Sequence, residues 1–381
     1  MNIFKRFALI FLASFIISIS GKAQVASLMD SLGGATVPGE IENPECIGIN
    51  KEPHHAALMP YANLKEALAA NRHASSFCRS LNGLWRFNWV SWPQARPVNF
   101  YDPKFDVSSW KEIPVPSNWQ IMGYGTPIYN FALTIKKDFP KVMSAPPKSY
   151  TSYIERNPVG SYRRDFEIPV DWIGRRVFIT FDGVDAGFFI WVNGEKVGYS
   201  VNSRNAAEFD ITKYIIPGKN IVAVEVYTYT AGTYLEDQDM WRLSGIFRNV
   251  TIWSTPQLHI RDFFVKTDLD EQYHNGTVEV NAKVKNYGIK LVKTSKLAVQ
   301  LYNAETAVPS AIAEGTVPDL KPGEEVSVKL TINIQNPDKW TAETPELYTT
   351  VLTLKNGNSI VETLSSRTGF RKIEIKGRLF L

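Results

Sequence analysis

"RRVFITFDGVDAGFFIWVNGEKVGYS", residues 175 to 200, decides the fold. Valine, isoleucine, threonine and phenylalanine dominate it, the side chains that suit a pleated, half-buried surface. Two strands run into Asn193-Gly194, a dipeptide tolerant of positive φ and the strongest short-range hairpin signal. Upstream, "SLNGLWRFNWV" (80–90) alternates Leu84, Arg86 and Asn88 against Trp85, Phe87 and Trp89. Downstream, "NIVAVEVYTY" (220–229) puts Val222, Val224 and Val226 on one face, and "NVTIWS" (249–254) closes the set. Many short strands with turn signals and few helical stretches predict a β-sandwich of jelly-roll type. The polar "NSRNAAEFDITKYI" (202–215) reads as an irregular crossing segment, and "YANLKEALAANRHA" (61–74) as a short helical turn.

A second β unit begins near "STPQLHIRDFFV" (254–265), where Pro256 interrupts the ladder. Val278, Val280, Ala282 and Val284 share one parity, as do Val326, Val328, Leu330, Ile332 and Ile334. Polar residues fill the alternate positions, the pattern of strands with one buried face. With a further hairpin at Asn356-Gly357, this predicts an immunoglobulin-like sandwich. "GFRKIEIKGRLFL" (369–381) reads as a strand with Ile373 and Ile375, a turn, and a second apolar strand. Chain ends are usually polar and loose, so the expectation is a chain cut short within a hairpin. The fold class is all-β.

At 381 residues with 44% hydrophobic and 21% charged side chains, two or three domains with sizeable cores are available. The net charge of +4 is small and no Lys/Arg run stands out, which disfavours nucleic acid as a partner. The 10 Trp and 16 Tyr suit sugar rings and sandwich cores alike, so they do not choose between them. "MNIFKRFALIFLASFIISISGKAQ" has Lys5 and Arg6, an apolar run from Phe7 to Ile19, and Gly21 and Ala23 at −3 and −1. That pattern predicts an export leader cut after Ala23, with the mature chain periplasmic or secreted, against the alternative of a membrane anchor. Cys46 and Cys78 leave a disulfide open, and neither has a metal partner at ligand spacing. "PHH" (53–55) reads as a solvated loop.

"YLEDQDMWRLSGIFR" (234–248) concentrates Glu236, Asp237 and Asp239 on a sandwich-edge loop, where function is common. Asp237 and Asp239 would share a side at about 6–7 Å, from the rise of about 3.3 Å per residue. A retaining glycosidase needs two carboxyls about 5–5.5 Å apart. The spacing permits a catalytic pair, a ligand or ion site, or a loop whose acids pair with Arg242 and Arg248; it does not choose.

A resemblance bears on that choice. "VPSNWQIMGYGTPIYN" (115–130), "FDGVDAGFFIWVNGEKVGYSVNSRNAAEFDIT" (181–212) and "YLEDQDMWRLSGIFRNV" (234–250) resemble the sugar-binding domain of family 2 β-galactosidases. "ENPECIGINKEP" (42–53) and "LNGLWRFNWV" (81–90) are similar to its opening. "NPDKWTAETPELYTTVLTL" (336–354) resembles its immunoglobulin-like second domain, and "GFRKIEI" (369–375) the lead-in to its catalytic barrel. After the leader read at 1–23, the domain bounds are an N-terminal extension at 24–78 and, from the resemblance, a galactose-binding-like jelly roll at 79–255. The resemblance further implies an immunoglobulin-like sandwich at 256–368 and the start of a truncated (β/α)8 barrel at 369–381. It implies hydrolysis of terminal β-D-galactosides by the complete enzyme, with both catalytic glutamates on the barrel; the alternatives are a stand-alone carbohydrate-binding or structural β-sandwich protein, or a fragment of a sister family 2 enzyme such as a β-glucuronidase or β-mannosidase. No catalytic residue is therefore expected here, and a barrel or complementary fragment is the expected partner. The last Asp of "LEDQDMW", here Asp239, is implied to contact a galactosyl hydroxyl and a sodium ion. An Asn after "PIY" is implied to bind the sugar; Asn130 follows Tyr129 directly, one residue short of the usual register, which leaves open Phe131 in that place and Asn130 as a loop residue capping its own backbone. Trp241 is expected to anchor packing. A divalent cation (Mg or Ca) and homo-oligomerisation are implied for the complete enzyme.

Overall fold

A computed structural model describes residues 36–130, 157–236, 239–303 and 308–380. The expected leader and Asp237 lie outside the described residues. The first sandwich has a seven-stranded antiparallel sheet in the spatial order Gly48–Ile49, Glu195–Val201, Gly187–Val192, Gly218–Tyr227, Val159–Ile168, Gly83–Val90, Lys111–Val115. Against it lies a four-stranded sheet, ordered Ala207–Asp210, Arg176–Phe181, Val250–Thr255, Cys78–Ser80. Trp85, Phe87, Trp119, Phe188, Val222, Val224 and Val226 fill the space between them. At about 1.5–3 kcal/mol per fully buried large apolar side chain, this layer is the main source of stability.

The Asn193-Gly194 hairpin forms as predicted, with φ of 52° and 91° at its two corner residues. The stretch 202–215 departs from its irregular reading: Ala207–Asp210 pairs with Arg176–Phe181 as the edge of the four-stranded sheet. Alternation explains it, because Ala207 and Phe209 enter the core while Glu208, from the opposite face, meets buried donors. The outer face of the seven-stranded sheet is also covered. Ile41, Phe100, Phe189, Trp191, Tyr199 and Tyr227 form a third layer there. Buried Arg163 fastens that layer by donating to the carbonyls of Phe100, Asp102, Pro103 and Phe105.

The second sandwich packs a three-stranded sheet, Leu258–Leu269, Gly276–Asn286, Glu325–Ile334, on a four-stranded one, Ala311–Val317, Ser295–Tyr302, Tyr348–Asn356, Ser359–Thr368. Val278, Val280, Ala282 and Val284 are all fully buried, as their shared parity requires. Beyond it, Ile375–Lys376 pairs with Leu379–Phe380 in a short hairpin.

The two sandwiches are joined by more than the linker. Residues 50–63 run across both as a strap. Glu52 N donates to Glu208 O at 2.9 Å, Ala56 N to Asp262 Oδ1 at 3.0 Å, and Tyr61 N to Thr363 O at 2.9 Å. The strap ends in the helix Leu64–Ala69, capped where the Asn63 side chain accepts from Glu66 N. Leu58 and Met59 share one core with Phe178 and Trp253 of the first sandwich and Leu258 of the second. The "PHH" stretch is corrected in part: Pro53 and His54 are exposed, but His55 reaches Glu208 Oε1 at 2.9 Å. Glu208 also accepts from Thr180 at 2.7 Å and Trp253 Nε1 at 3.0 Å. On the far side, buried Glu362 accepts from Thr255 Oγ1 at 2.6 Å and Ile260 N at 2.8 Å, and faces His259 Nδ1 at 2.8 Å. Cys46 and Cys78 are both free thiols, in different layers.

Candidate functional site

After the strand Gly218–Tyr227 the chain makes the 3-10 turn Thr233–Glu236 and then the strand Met240–Arg242, which pairs with Ile128–Asn130. In that register Met240 faces Asn130 and Trp241 faces Tyr129. The "VPSNWQ" segment runs beside the strand's continuation. Ser117 N donates to Ile246 O at 2.9 Å and Trp119 N to Ser244 O at 3.0 Å. Asn118 Nδ2 donates to Leu243 O at 3.0 Å, and Ser244 N to Gln120 Oε1 at 2.9 Å. Gly245 is required in this seam, because at φ +118° a Cβ would stand 3.0 Å from Ser117 O and Tyr162 Oη.

The described acids of the stretch do different work. Glu236 turns inward, where its carboxylate accepts from Ser203 N at 2.6 Å and from the Ser203 hydroxyl. Asp239 is exposed and accepts from the Tyr129 hydroxyl. That bond to an anion holds the Tyr129 phenol above its ordinary range. Arg242 donates to the Glu236 carbonyl at 2.8 Å, and Arg248 to the Arg204 carbonyl at 2.8 Å. Both arginines thus donate to main-chain carbonyls.

Beneath the ribbon, Asp185 is buried and pairs with Arg204 Nη1 at 3.0 Å. Burial pushes its carboxyl up to about 6; the Glu236 charge adds to the shift, while Arg204 and Arg242 oppose it. Arg204 also meets the Met240 sulfur at 3.2 Å and lies over the Phe247 ring at 4.9 Å. Trp241 is 54% exposed and packs edge-on against Tyr129, with centroids 5.5 Å apart. In this chain it is an outward-facing ring, which corrects its reading as a packing anchor. Asn130 enters the ribbon through its backbone, opposite Met240. Sequence reasoning missed Ser203, Arg204 and Asp185, because nothing in "NSRN" marks which polar side chain turns inward. Among the described residues no group of three or more His, Cys, Asp or Glu side chains gathers as a metal site. Asp239 offers one hard oxygen ligand, so a cation bound there would draw its other oxygens from elsewhere.

Comparison with known proteins follows this geometry. Residues 78–256 match the model of the glycosyl hydrolases family 2 sugar binding domain, and residues 258–371 a second glycosyl hydrolases family 2 model. A β-galactosidase of Priestia megaterium is 42% identical over 341 residues, covering 88% of this chain and 32% of the relative. One from Halalkalibacterium halodurans is 36% identical, covering 86% and 31% respectively. The chain thus spans about a third of the length of the curated relatives it matches. Among solved structures, a β-glucuronidase from glycoside hydrolase family 2 superposes with a TM-score of 0.62 at 21% identity, over 78% of this chain and 31% of that one. A putative β-galactosidase from Bacteroides fragilis gives 0.57 at 20% identity, over 80% and 42%. These two likenesses show the fold alone. With both of its sandwiches matched in order, the chain belongs to glycosyl hydrolase family 2.

Proposed function

We propose that this chain is the N-terminal part of a β-galactosidase and supplies one wall of the galactose subsite. The observation that carries the reading is Asp239, an exposed carboxylate on a ribbon at the edge of a sugar-binding domain whose relatives are named β-galactosidases. An ionised carboxylate accepts from sugar hydroxyls and is a hard ligand for sodium. Its Tyr129 bond fixes its position while leaving lone pairs for a ligand. Asn130, in the paired strand, is the second residue assigned to the sugar.

Retaining hydrolysis needs a proton donor and a nucleophile about 5–5.5 Å apart. The described part of the ribbon exposes one carboxylate, Asp239, and commits Glu236 to Ser203. The family resemblance assigns the reacting pair to a second body, the barrel, along with most of the divalent-cation site. Export behind a leader cut after Ala23, and assembly of the complete enzyme as a homo-oligomer, belong to the same proposal.

The test is a galactosidase assay on purified chain, alone and mixed with the remaining two thirds of the Priestia megaterium relative. The expected result is no turnover alone and measurable turnover in the mixture. In the mixture Asp239→Ala lowers kcat/KM about 10- to 100-fold, the worth of one hydrogen bond to a charged group. Robust turnover by the lone chain, or full activity of the Asp239→Ala mixture, would overturn the reading.

A further inference from the structure

We propose that Glu236, together with Asp185 acting through Arg204, forms a mount that positions Asp239 for the galactosyl group; this rests on the reading of Asp239 as the sugar wall. A three-residue strand with a single partner is not stable by itself, so something must hold the ribbon at one height and angle. The structure shows the fastenings on both sides of Asp239. Three residues before it, Glu236 occupies both donors of Ser203, which is 0% exposed. Without that carboxylate a buried N–H and hydroxyl would stand unpaired, so the bond is costly to open.

One residue after Asp239, Met240 touches Arg204, which is itself held by Asp185. Three residues after it, buried Arg242 closes the loop on the Glu236 carbonyl. The residues that face inward are all tied to buried groups; Asp239 and Trp241 are left facing out. This answers why the chain sets acids so close together: one carboxylate holds the loop and another works beyond it.

The mount carries a titratable part. Asp185 faces Arg204, Glu236 and Arg242, and its carboxyl sits at about 6. In an opened ribbon the carboxyl returns to its ordinary range, so by linkage acidification through that value favours the closed seat under Met240.

The experiment has two arms. In the lone chain, amide hydrogen exchange is compared for the parent, Glu236→Ala and Glu236→Gln. Glu236→Ala is expected to speed exchange at Met240–Arg242 about tenfold or more, leaving Gly187–Val192 and Gly218–Tyr227 unchanged. Glu236→Gln, which keeps an acceptor for Ser203 N–H, restores most of the protection. Lowering the pH below about 6 reduces exchange in the same ribbon beyond its intrinsic pH dependence, and Asp185→Asn abolishes that pH step. Unchanged exchange in Glu236→Ala would overturn the mount.

The second arm uses the mixture with the relative's remaining two thirds. If Glu236 acts through Asp239, the Glu236→Ala, Asp239→Ala double variant is no worse than Asp239→Ala alone. Losses that multiply would instead assign Glu236 a separate structural role and overturn the proposal. A harmless Asp239→Ala would remove the sugar wall itself while leaving the exchange result standing, so the two failures are distinguishable.

Discussion

Two buried carboxylates, one at the junction of the sandwiches and one under the ribbon, behave in opposite ways. Glu208 and Asp185 are almost equally hidden, at 8% and 7% exposed. Burial raises both, yet at Glu208 it is outweighed by the hydrogen bond and charge of His55 and by the bonds from Thr180 and Trp253, so this carboxyl sits below its usual range. Asp185 has Arg204 close by and Glu236 working against it, and rises to about 6. The number of donors aimed at the group, rather than its depth, decides whether a buried acid is a comfortable anion. The junction is built for permanence. The ribbon carries an anion under tension, the arrangement that gathers at functional sites.

That contrast fixes the largest expected effect. Glu208→Ala removes the acceptor shared by His55 Nε2, Thr180 Oγ1 and Trp253 Nε1 in the junction, and removing one partner of a buried pair costs about 3–5 kcal/mol. Asp185→Ala leaves Arg204, whose side chain is 37% exposed and can turn to water. Its cost is about 1 kcal/mol or less, as for a partly exposed pair. Urea unfolding of the two variants gives the comparison directly. Equal losses would erase the distinction between the two regions.

The pH dependence separates them next. Both ring nitrogens of His55 face oxygen acceptors, Ala56 O at 2.7 Å and Glu208 Oε1 at 2.9 Å, which suits the imidazolium. Burial opposes that charge, but Glu208 outweighs it and holds the ring above its usual 6.5. The His55 contribution is therefore complete below pH 6.5 and lost as pH rises through the raised value. Glu208 is depressed, so its contribution is present above pH 4.5 and lost as pH falls through the folded value. Asp185 has the opposite sign to Glu208: its contribution is complete below pH 3.8 and lost as pH rises through about 6. Melting temperatures across pH 4 to 9 should show His55→Gln flattening the alkaline limb. Asp185→Asn should remove a gain on acidification between pH 6 and 3.8. An alkaline limb untouched by His55→Gln would show that the strap does not fasten the junction by charge.

Legibility in the sequence follows the same division. The two sandwiches could be read from periodicity, because each buried valine parity is a local fact about a strand. Val222, Val224 and Val226, and the Asn193-Gly194 corner, needed no distant partner to be recognised. The junction could not be read, because His55 and Glu208 are 153 positions apart and His259 and Glu362 are 103 apart. Within the acidic stretch the resemblance singles out Asp239. The inward turn of Glu236 was not, since Ser203 lies in a segment whose strand, Ala207–Asp210, is held from elsewhere in the chain. Trp241 was misread because an apolar ring in a sequence carries no mark of the side on which it will stand.

Trp241 gives the smallest expected effect and the sharpest check on the ribbon. Its ring touches Tyr129 and is otherwise largely open, whereas Trp253 is 3% exposed and stacked on Phe178. Trp241→Ala should change the stability of the lone chain by less than about 0.5 kcal/mol, as exposed substitutions do. In the mixture with the relative's remaining two thirds it should weaken turnover through whatever covers the ring there, barrel or sugar, while Trp241→Phe preserves most of it. A loss of about 2 kcal/mol or more in the lone chain would mean the indole already packs into the first sandwich. The ribbon would then be an extension of the core rather than a surface held ready for another body.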